Sequence, residues 1–424
     1  MLIAPSGSSI IGHTSAATGA VATTVEAKLQ ESVSVKDFGA VGDGTTDDTA
    51  AIQAAITSLA TTGGTVLFPP GTYKITTSIT QTFGNGVKIK LSGYGATLDG
   101  STSTATYLVT LQGSVLTSSL LSASPAKADK AFTTTATTGA EVGEYIKLLS
   151  TDLFTTGLAG VFKGEFCLVK SIAGTTYNLA SRLFDSYTAA TTTAYRLAMP
   201  TITIEGLEIK RNSNNIGLNL QYIKNLVVRD CIIHGARYAG MQMLNVVGAL
   251  VEGNYIYDSY NAATGTSYCI TVGDGQDMKV IGNTLKEARH CITTGGFSPA
   301  RRLVYSGNTC NVHLDQNTNW AIDTHADTEF IIIANNVCDG IFMSGRNAQV
   351  IGNTCTGASF DNSGAALPLI TVNVYANSDY YVIENNVLTN DAALTGGTGV
   401  YFGPRAANTT HNLISIKNNY IQVP

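Results

Sequence analysis

The segment Trp320-Ala321-Ile322-Asp323-Thr324-His325-Ala326-Asp327 carries two carboxylates and an imidazole at every second position. Alternate residues of an extended strand share a side, so Asp323, His325 and Asp327 are expected on one outward face, opposite Ile322. Glu287, Arg289 and His290 lie together upstream, Arg346 follows downstream, and Asp274 and Asp277 stand further back. These residue types support two chemistries. Two carboxyl groups, about 5–5.5 Å apart for retention or about 6.5–9.5 Å for inversion, hydrolyse a glycosidic bond. An imidazole base beside a guanidinium instead removes a proton next to a carboxylate and stabilises the enolate-like intermediate.

For hydrolysis, Asp323 and Asp327 are too far apart on a plain strand, at about 13 Å for four residues. Either Asp327 lies in a turn, or Asp323 pairs with Glu287 or Asp274. For elimination, His290 or His325 is the base and Arg289 or Arg346 the cation. Carboxylates outnumber cations, which tips the balance slightly toward hydrolysis. The catalytic candidates are therefore Asp323, His325, Glu287, His290, Asp327 and Asp274, with Arg289, Arg346, Asp277 and Gln242 as substrate-binding candidates. No resident metal or cofactor is expected: His313, Asp315, His325 and Asp327 are suitable ligand types, but their spacing matches no compact motif.

Such residues need a scaffold that repeats. From Thr201 onward, short runs of alternating apolar residues precede Asp230, Asn254, Asn283, Asn308, Asn336, Asn353, Asn386 and Asn419, at intervals of 24, 29, 25, 28, 17, 33 and 33 residues. A second short strand lies between successive copies, as in Gly240–Met243, Cys269–Val272 and Cys291–Thr294. A unit this short cannot bury its own apolar side, but stacked units can. The expectation is an all-β, single-stranded parallel β-helix with rungs about 4.8 Å apart and the Asn residues aligned in a ladder. Cys310, Cys338 and Cys355 fall in the place that Ile232, Ile256 and Leu285 take in other copies, which makes them buried thiols and not a redox or zinc set.

The other segments divide the chain further. Residues 1–32 are Ala-, Ser-, Thr- and Gly-rich and form an arm or linker. Residues 33–100 hold a short capping helix, with Asp47 and Asp48 before Ile52, Ile56 and Leu59 and with Gly63-Gly64 at its end, followed by the first rungs. Residues 101–200 are Thr-rich and irregular, the mark of a small β insertion, and residues 201–424 are the repeats. Seven cysteines do not make a disulfide framework.

Composition removes several function classes. The 424 residues include 25 Lys+Arg and 30 Asp+Glu, for a net charge of −5, with only 13% charged residues and 43 Gly. A nucleic-acid binder would show a basic stripe, and none is present. The longest apolar runs, such as Phe330 to Ala334, are too short for a membrane span. No Lys or Arg precedes Lys28 and no apolar core of a leader follows, so no signal peptide is expected.

Two stretches carry a resemblance. KDFGAVGDGTTDDTAAIQAA at Lys36 to Ala55, followed by GGTVLFPPGTY at Gly63 to Tyr73, resembles the opening of pectate-lyase-superfamily right-handed β-helices, particularly those of bacteriophage tailspike depolymerases. Gly19 to Gly39 resembles the junction that joins a tailspike's head-binding part to its β-helix. The resemblance implies a virion tail protein, attached through its N-terminus and acting at the host cell surface. It further implies a homotrimer that digests bacterial surface polysaccharide. The stretches Asp323-Thr324-His325 and Arg289 to Gly296 are similar to segments of this β-helix group. A non-catalytic glycan-binding adhesin and a sugar epimerase or pectinolytic enzyme are the alternatives on the same fold. In the family the opening segment caps the helix and does no chemistry. The Asp43–Asp48 loop is not an EF-hand, because Asp48 stands where that loop needs Gly.

Overall fold

The computed structural model describes residues 11–155, 159–213, 215–261, 267–313, 320–357, 367–374, 380–389, 398–404 and 413–422. Its body is a parallel β-helix with three faces. The first face holds ten parallel strands, including Ile216–Gln221, Ala239–Leu244, Tyr268–Gly273, His290–Thr294, Ile322–Asp323, Ile341–Ser344 and Val400–Pro404. The second runs through Lys224–Arg229, Val247–Glu252, Gln276–Ile281, Ala300–Ser306, Thr328–Ala334 and Arg346–Ile351. The third runs through Ile232–Ala236, Tyr255–Tyr257, Thr284–Ala288, Thr309–Val312 and Val337–Cys338. Each strand pairs in register with its equivalent one turn of chain later, so one residue type per position builds a row along the axis.

The bend between the second and third faces explains the recurring Asn. Asn283 is 1% exposed; its side-chain amide donates to Asn308 Oδ1 at 3.0 Å and to the Val251 carbonyl at 3.0 Å, and its backbone N–H donates to Asn308 Oδ1 at 3.0 Å. The same contacts link Asn254 to Asn283, Asn308 to Asn336, Asn336 to Asn353, Asn353 to Asn386 and Asn386 to Asn419. A row of buried amides thus satisfies itself and the bending backbone.

The residue before each ladder position is left-handed, with φ of +65° at Gly253, +66° at Gly307, +56° at Asn335 and +59° at Asn385. Only Gly, Asn and Asp adopt this conformation at low cost, and the Gly-Asn and Asn-Asn pairs of the sequence follow from that.

This register corrects two expectations by one residue. Asp230, at φ +54°, fills the left-handed position, and Cys231 stands in the place of the ladder Asn, its N–H donating to Asn254 Oδ1. Ile233, not the 40% exposed Ile232, shares the inward row with Ile256, Leu285, Cys310, Cys338, Cys355 and Leu388. All seven cysteines are buried free thiols.

The N-terminal end is closed by the helix Thr49–Ser58, which buries Ile52, Ala55 and Ile56. The acidic loop before it is satisfied from within. Asp43 accepts from the backbone N–H groups of Thr45 and Thr46, and Asp48 accepts from those of Val41 and Gly42. Ser32–Ser34 pairs with Gly64–Leu67 and so begins the stack, while residues 11–31 form a two-stranded hairpin and the short helix Val25–Leu29. No helix among the described residues is long and apolar enough to cross a membrane.

A six-stranded antiparallel sheet spanning Ser114 to Ala198 leaves the helix after Tyr107–Gln112 and has its own core around Phe132, Ile146, Leu148 and Tyr177. It leans on the corner between the first and second faces. Arg301, fully buried, donates to Glu329 Oε2 at 2.7 Å and to the Gly164 carbonyl at 2.6 Å, and pairs with Asp185. The insertion and the helix are therefore riveted by a buried cation.

Candidate active site

The first face supplies the site. Its inward row is Ile270, Ile292, Ile322, Ile341 and Ile370, so the neighbouring residue of each strand stands outward. That outward row reads Gln242, Thr271, Thr293, Asp323, Phe342, Thr371 and Tyr401 along the axis. Asp323 is its one carboxylate.

Asp323 leaves the core yet is only 7% exposed, because two imidazoles close over it. Its Oδ2 lies 3.2 Å from His290 Nε2 and 3.4 Å from His325 Nε2. His290 is buried, and its Nδ1 is 2.7 Å from the Trp320 carbonyl. A carbonyl only accepts, so Nδ1 carries a proton, and the Nε2 contact with a carboxylate then requires a second one. Burial pushes the His290 pKa down, against the opposing charge of Asp323. Burial also pushes the Asp323 carboxyl up, but His290, His325 and Arg289 outweigh it and its net direction is down.

His325 is the exposed member, with 54% of its side chain open to solvent. Its hydrogen bond to Asp323 raises its pKa above the usual imidazole value, against the effect of burial. With Nε2–H donating to Asp323, Nδ1 is left as the basic atom. A side chain on Gly295 would sit 3.4 Å from that nitrogen, so glycine keeps the approach open. The backbone N–H of His325 donates to Thr294 Oγ1 at 2.8 Å, which fixes the residue where the strand ends. Arg289 contributes charge felt by Asp323, His290, His325 and Tyr268. The Tyr268 ring stacks on His290 at 5.9 Å, and burial raises its phenol pKa, so it keeps its proton.

The other candidates from the sequence fall elsewhere. The strand ends at Asp323, so Asp327 lies in the following turn and is 1% exposed instead of sharing an outward face. Burial, together with the nearby Asp274, raises its pKa to about 7 despite the opposing influence of His325. Asp274 sits under the insertion, accepting from Ser298 Oγ at 2.6 Å and 3.8 Å from Lys147 Nζ. Asp277 pairs with Arg302 on the second face. Arg346 stacks on Phe154 and lies 3.9 Å from Glu329, beside the Arg301 rivet. Glu287, exposed at a left-handed bend, acts on Tyr257 of the third face. Gln242 stays in the outward row, three rungs from Asp323. Asp315 lies outside the described residues. Among the described residues no three His, Cys, Asp or Glu side chains are arranged to hold a metal ion.

Sequence reasoning passed over Tyr268, Phe342 and Tyr401, whose signal was their place in the outward row or beside it. Tyr255 and Tyr257 stack on each other at 4.7 Å on the third face, while Tyr381 is core. A second cleft, of 510 Å³, opens between the insertion and the helix and is lined by Lys147, Tyr195, Tyr222, Asn245, Asp274 and the 70% exposed Phe297.

The chain is similar in fold to the tailspike gp61 of Pseudomonas phage phi297, with a TM-score of 0.74 at 21% identity, covering 92% of this chain and 70% of that one. The tailspike gp49 of Pseudomonas phage LKA1 gives 0.71 at 18% identity, with 92% and 81% covered. The gp54 tailspike of Acinetobacter baumannii phage AP22, solved with a capsular saccharide, gives 0.71 at 13%, with 98% and 72% covered. At these identities the likeness is one of fold. Among curated proteins, mannuronan C5-epimerase AlgE5 of Azotobacter vinelandii is 64% identical over 42 residues, which is 10% of this chain and 4% of that protein. AlgE4 of the same bacterium is 42% identical over 85 residues, 18% of this chain and 15% of its own. The chain thus spans a small fraction of the curated relatives it matches. Residues 32–272, more than half of the sequence, match the family described as rhamnogalacturonase A/epimerase, pectate lyase-like, and the chain belongs to that family.

Proposed function

We propose that the protein is a phage tailspike-type depolymerase that cleaves an acidic bacterial surface polysaccharide by β-elimination at Asp323, His290 and His325. The observation that carries this reading is the pairing of one half-exposed imidazole with one buried carboxylate, while Asp327 is buried in the following turn and Asp274, Asp277 and Glu287 stand outside this outward row. Hydrolysis needs two carboxyl groups flanking one bond. Proton abstraction needs one base with its orienting partner, which is what His325 and Asp323 provide.

In the proposed reaction His325 Nδ1 takes the proton from C5 of a uronate. The electron pair forms the C4–C5 double bond, the C4–O4 bond breaks, and O4 leaves with a proton donated by Tyr268. Arg289 neutralises the uronate carboxylate as negative charge builds on it. The virion location and attachment through the N-terminus rest on the fold likeness to tailspikes and on the opening motif, as does a homotrimer. The test is incubation with purified acidic capsular polysaccharides. Shortened chains that absorb in the ultraviolet band of an unsaturated uronate support elimination, and unshortened chains defeat it.

Hydrolysis is the second reading, favoured by one observation: the Asp327 pKa is raised to about 7 while that of Asp323 is held down by its imidazole neighbours, the direction of divergence that an acid and its partner carboxylate need. It predicts new reducing ends with no ultraviolet absorbance.

A further inference from the structure

Beyond Asp323 the outward row changes character. The next three rungs offer Phe342, Thr371 and Tyr401, and Trp320 flanks them with its ring 4.7 Å from that of Phe342. These residues line a cleft of 460 Å³, within the range of about 300–1,000 Å³ typical of small-ligand sites. The cleft is built and not incidental. Trp320 Nε1 donates to the Pro368 carbonyl at 2.7 Å, which fixes the plane of the indole. Tyr401, 50% exposed, lies across Gly403, where any Cβ would come within 2.8 Å of its ring. The Thr371 hydroxyl between the two aromatic rungs is buried and has no hydrogen-bond partner among the described residues.

Among the described residues the lining holds no Lys, Arg, His, Asp or Glu. A uronate carboxylate placed there would lose hydration without a counter-charge, whereas Arg289 supplies one at the other end of the row. Aromatic faces take the C–H face of a sugar, and an unpartnered hydroxyl takes one of its polar substituents. Rungs stand about 4.8 Å apart, so Tyr401 lies about 14 Å from Asp323, a distance spanned by a few sugar units.

We infer that Trp320, Phe342, Thr371 and Tyr401 form a subsite for an uncharged sugar with an apolar face, such as a 6-deoxy or N-acetylated hexose. The substrate is then a heteropolysaccharide that places this unit one to three residues from the acidic one. The inference rests on the proposed reaction site at Asp323.

Trp320 is the single tryptophan of the chain, so its emission reports on this cleft alone. The experiment uses the full chain carrying His325→Ala, which prevents cleavage, titrated with chemically defined polymers. These are alginate and polygalacturonate as homopolyuronates, hyaluronan and chondroitin as alternating uronate and N-acetylhexosamine, and bacterial capsules whose repeats combine a uronate with a 6-deoxyhexose. The expected result is binding of one or more mixed polymers with a shift of Trp320 emission, weakened about tenfold by Tyr401→Ala and measurably by Thr371→Val. Homopolyuronates that bind as tightly and shift the emission equally overturn the inference. A polymer that the unmodified protein cleaves without any change in Trp320 emission overturns the subsite and leaves the reaction site standing. Binding of none of the panel overturns both.

Discussion

Asp323 and His325 stand two residues apart at a strand end, and Asp323 Oδ2 lies 3.4 Å from His325 Nε2 and 3.2 Å from His290 Nε2. One carboxylate oxygen thus holds a buried imidazole and an exposed one. The Nδ1 of the exposed one lies beside Gly295. In the proposed reaction that asymmetry makes His325 the base and leaves His290 to hold the carboxylate in place.

The pH profile follows from this pairing. Asp323 raises the His325 pKa, and the base acts only when neutral, so kcat/KM should climb with pH through a limb above the usual imidazole value. Asp323→Asn removes the charge and should move that limb to lower pH while reducing the plateau by about 10²–10⁴-fold. A limb that stays in place in Asp323→Asn would remove His325 as the titrating group.

Asp327 gives a stability signature of opposite sign to that of an ordinary carboxylate. Its folded pKa, raised to about 7 chiefly by burial, exceeds the unfolded value, so the folded state binds the extra proton. Stability from this group is complete below about pH 4 and is lost as pH rises toward 7. Thermal unfolding of Asp327→Asn across that window should have a weaker pH dependence than the parent and a higher midpoint at pH 8. An unchanged slope would mean that Asp327 ionises normally.

The ladder can be broken one rung at a time. Asn308→Ala leaves the Asn283 backbone N–H and side-chain amide without their acceptor in a buried bend, at about 1–3 kcal/mol for each orphaned donor. Gly307→Ala imposes a side chain at φ +66° and should cost about 1–2 kcal/mol, with Gly307→Asn milder. Equal melting of the Ala and Asn variants would contradict the left-handed requirement.

Arg301 tests the insertion. Arg301→Met leaves Glu329 and Asp185 buried without their shared cation, and breaking such a cluster costs about 3–5 kcal/mol. Limited proteolysis should then release fragments cut within residues 114–198 before the β-helix is touched. Resistance equal to that of the parent would show that the insertion is held by other contacts.

Much of this architecture was legible in the chain because a parallel β-helix repeats one rule. Asn at each bend and Ile at each inward position announce themselves by recurrence. The one-residue slip at Asp230 arose because Asp and Asn both suit a left-handed bend, so chemistry alone does not say which neighbour belongs to the ladder. The proposed reaction site was harder to read. Alternation placed Asp323 and His325 outward, but it cannot say where a strand stops, and Asp327 fell beyond that point into a buried turn. Arg346 and Asp274 lie near Asp323 in rung number, yet their side chains belong to the corner under the insertion, a contact made across more than a hundred residues of sequence. Tyr268 and Tyr401 acquire meaning only once the row is in register.

Two surfaces are candidates for the glycan: the outward row at Asp323 and the 510 Å³ space between the insertion and the helix. A crystal structure of His325→Ala with a bound oligosaccharide decides between them. The expected result is a sugar ring over Gly295, its C5 facing position 325 and its chain running along Phe342 toward Tyr401. An oligosaccharide seated instead between Lys147, Tyr222 and Phe297, with the Asp323 row empty, would contradict it.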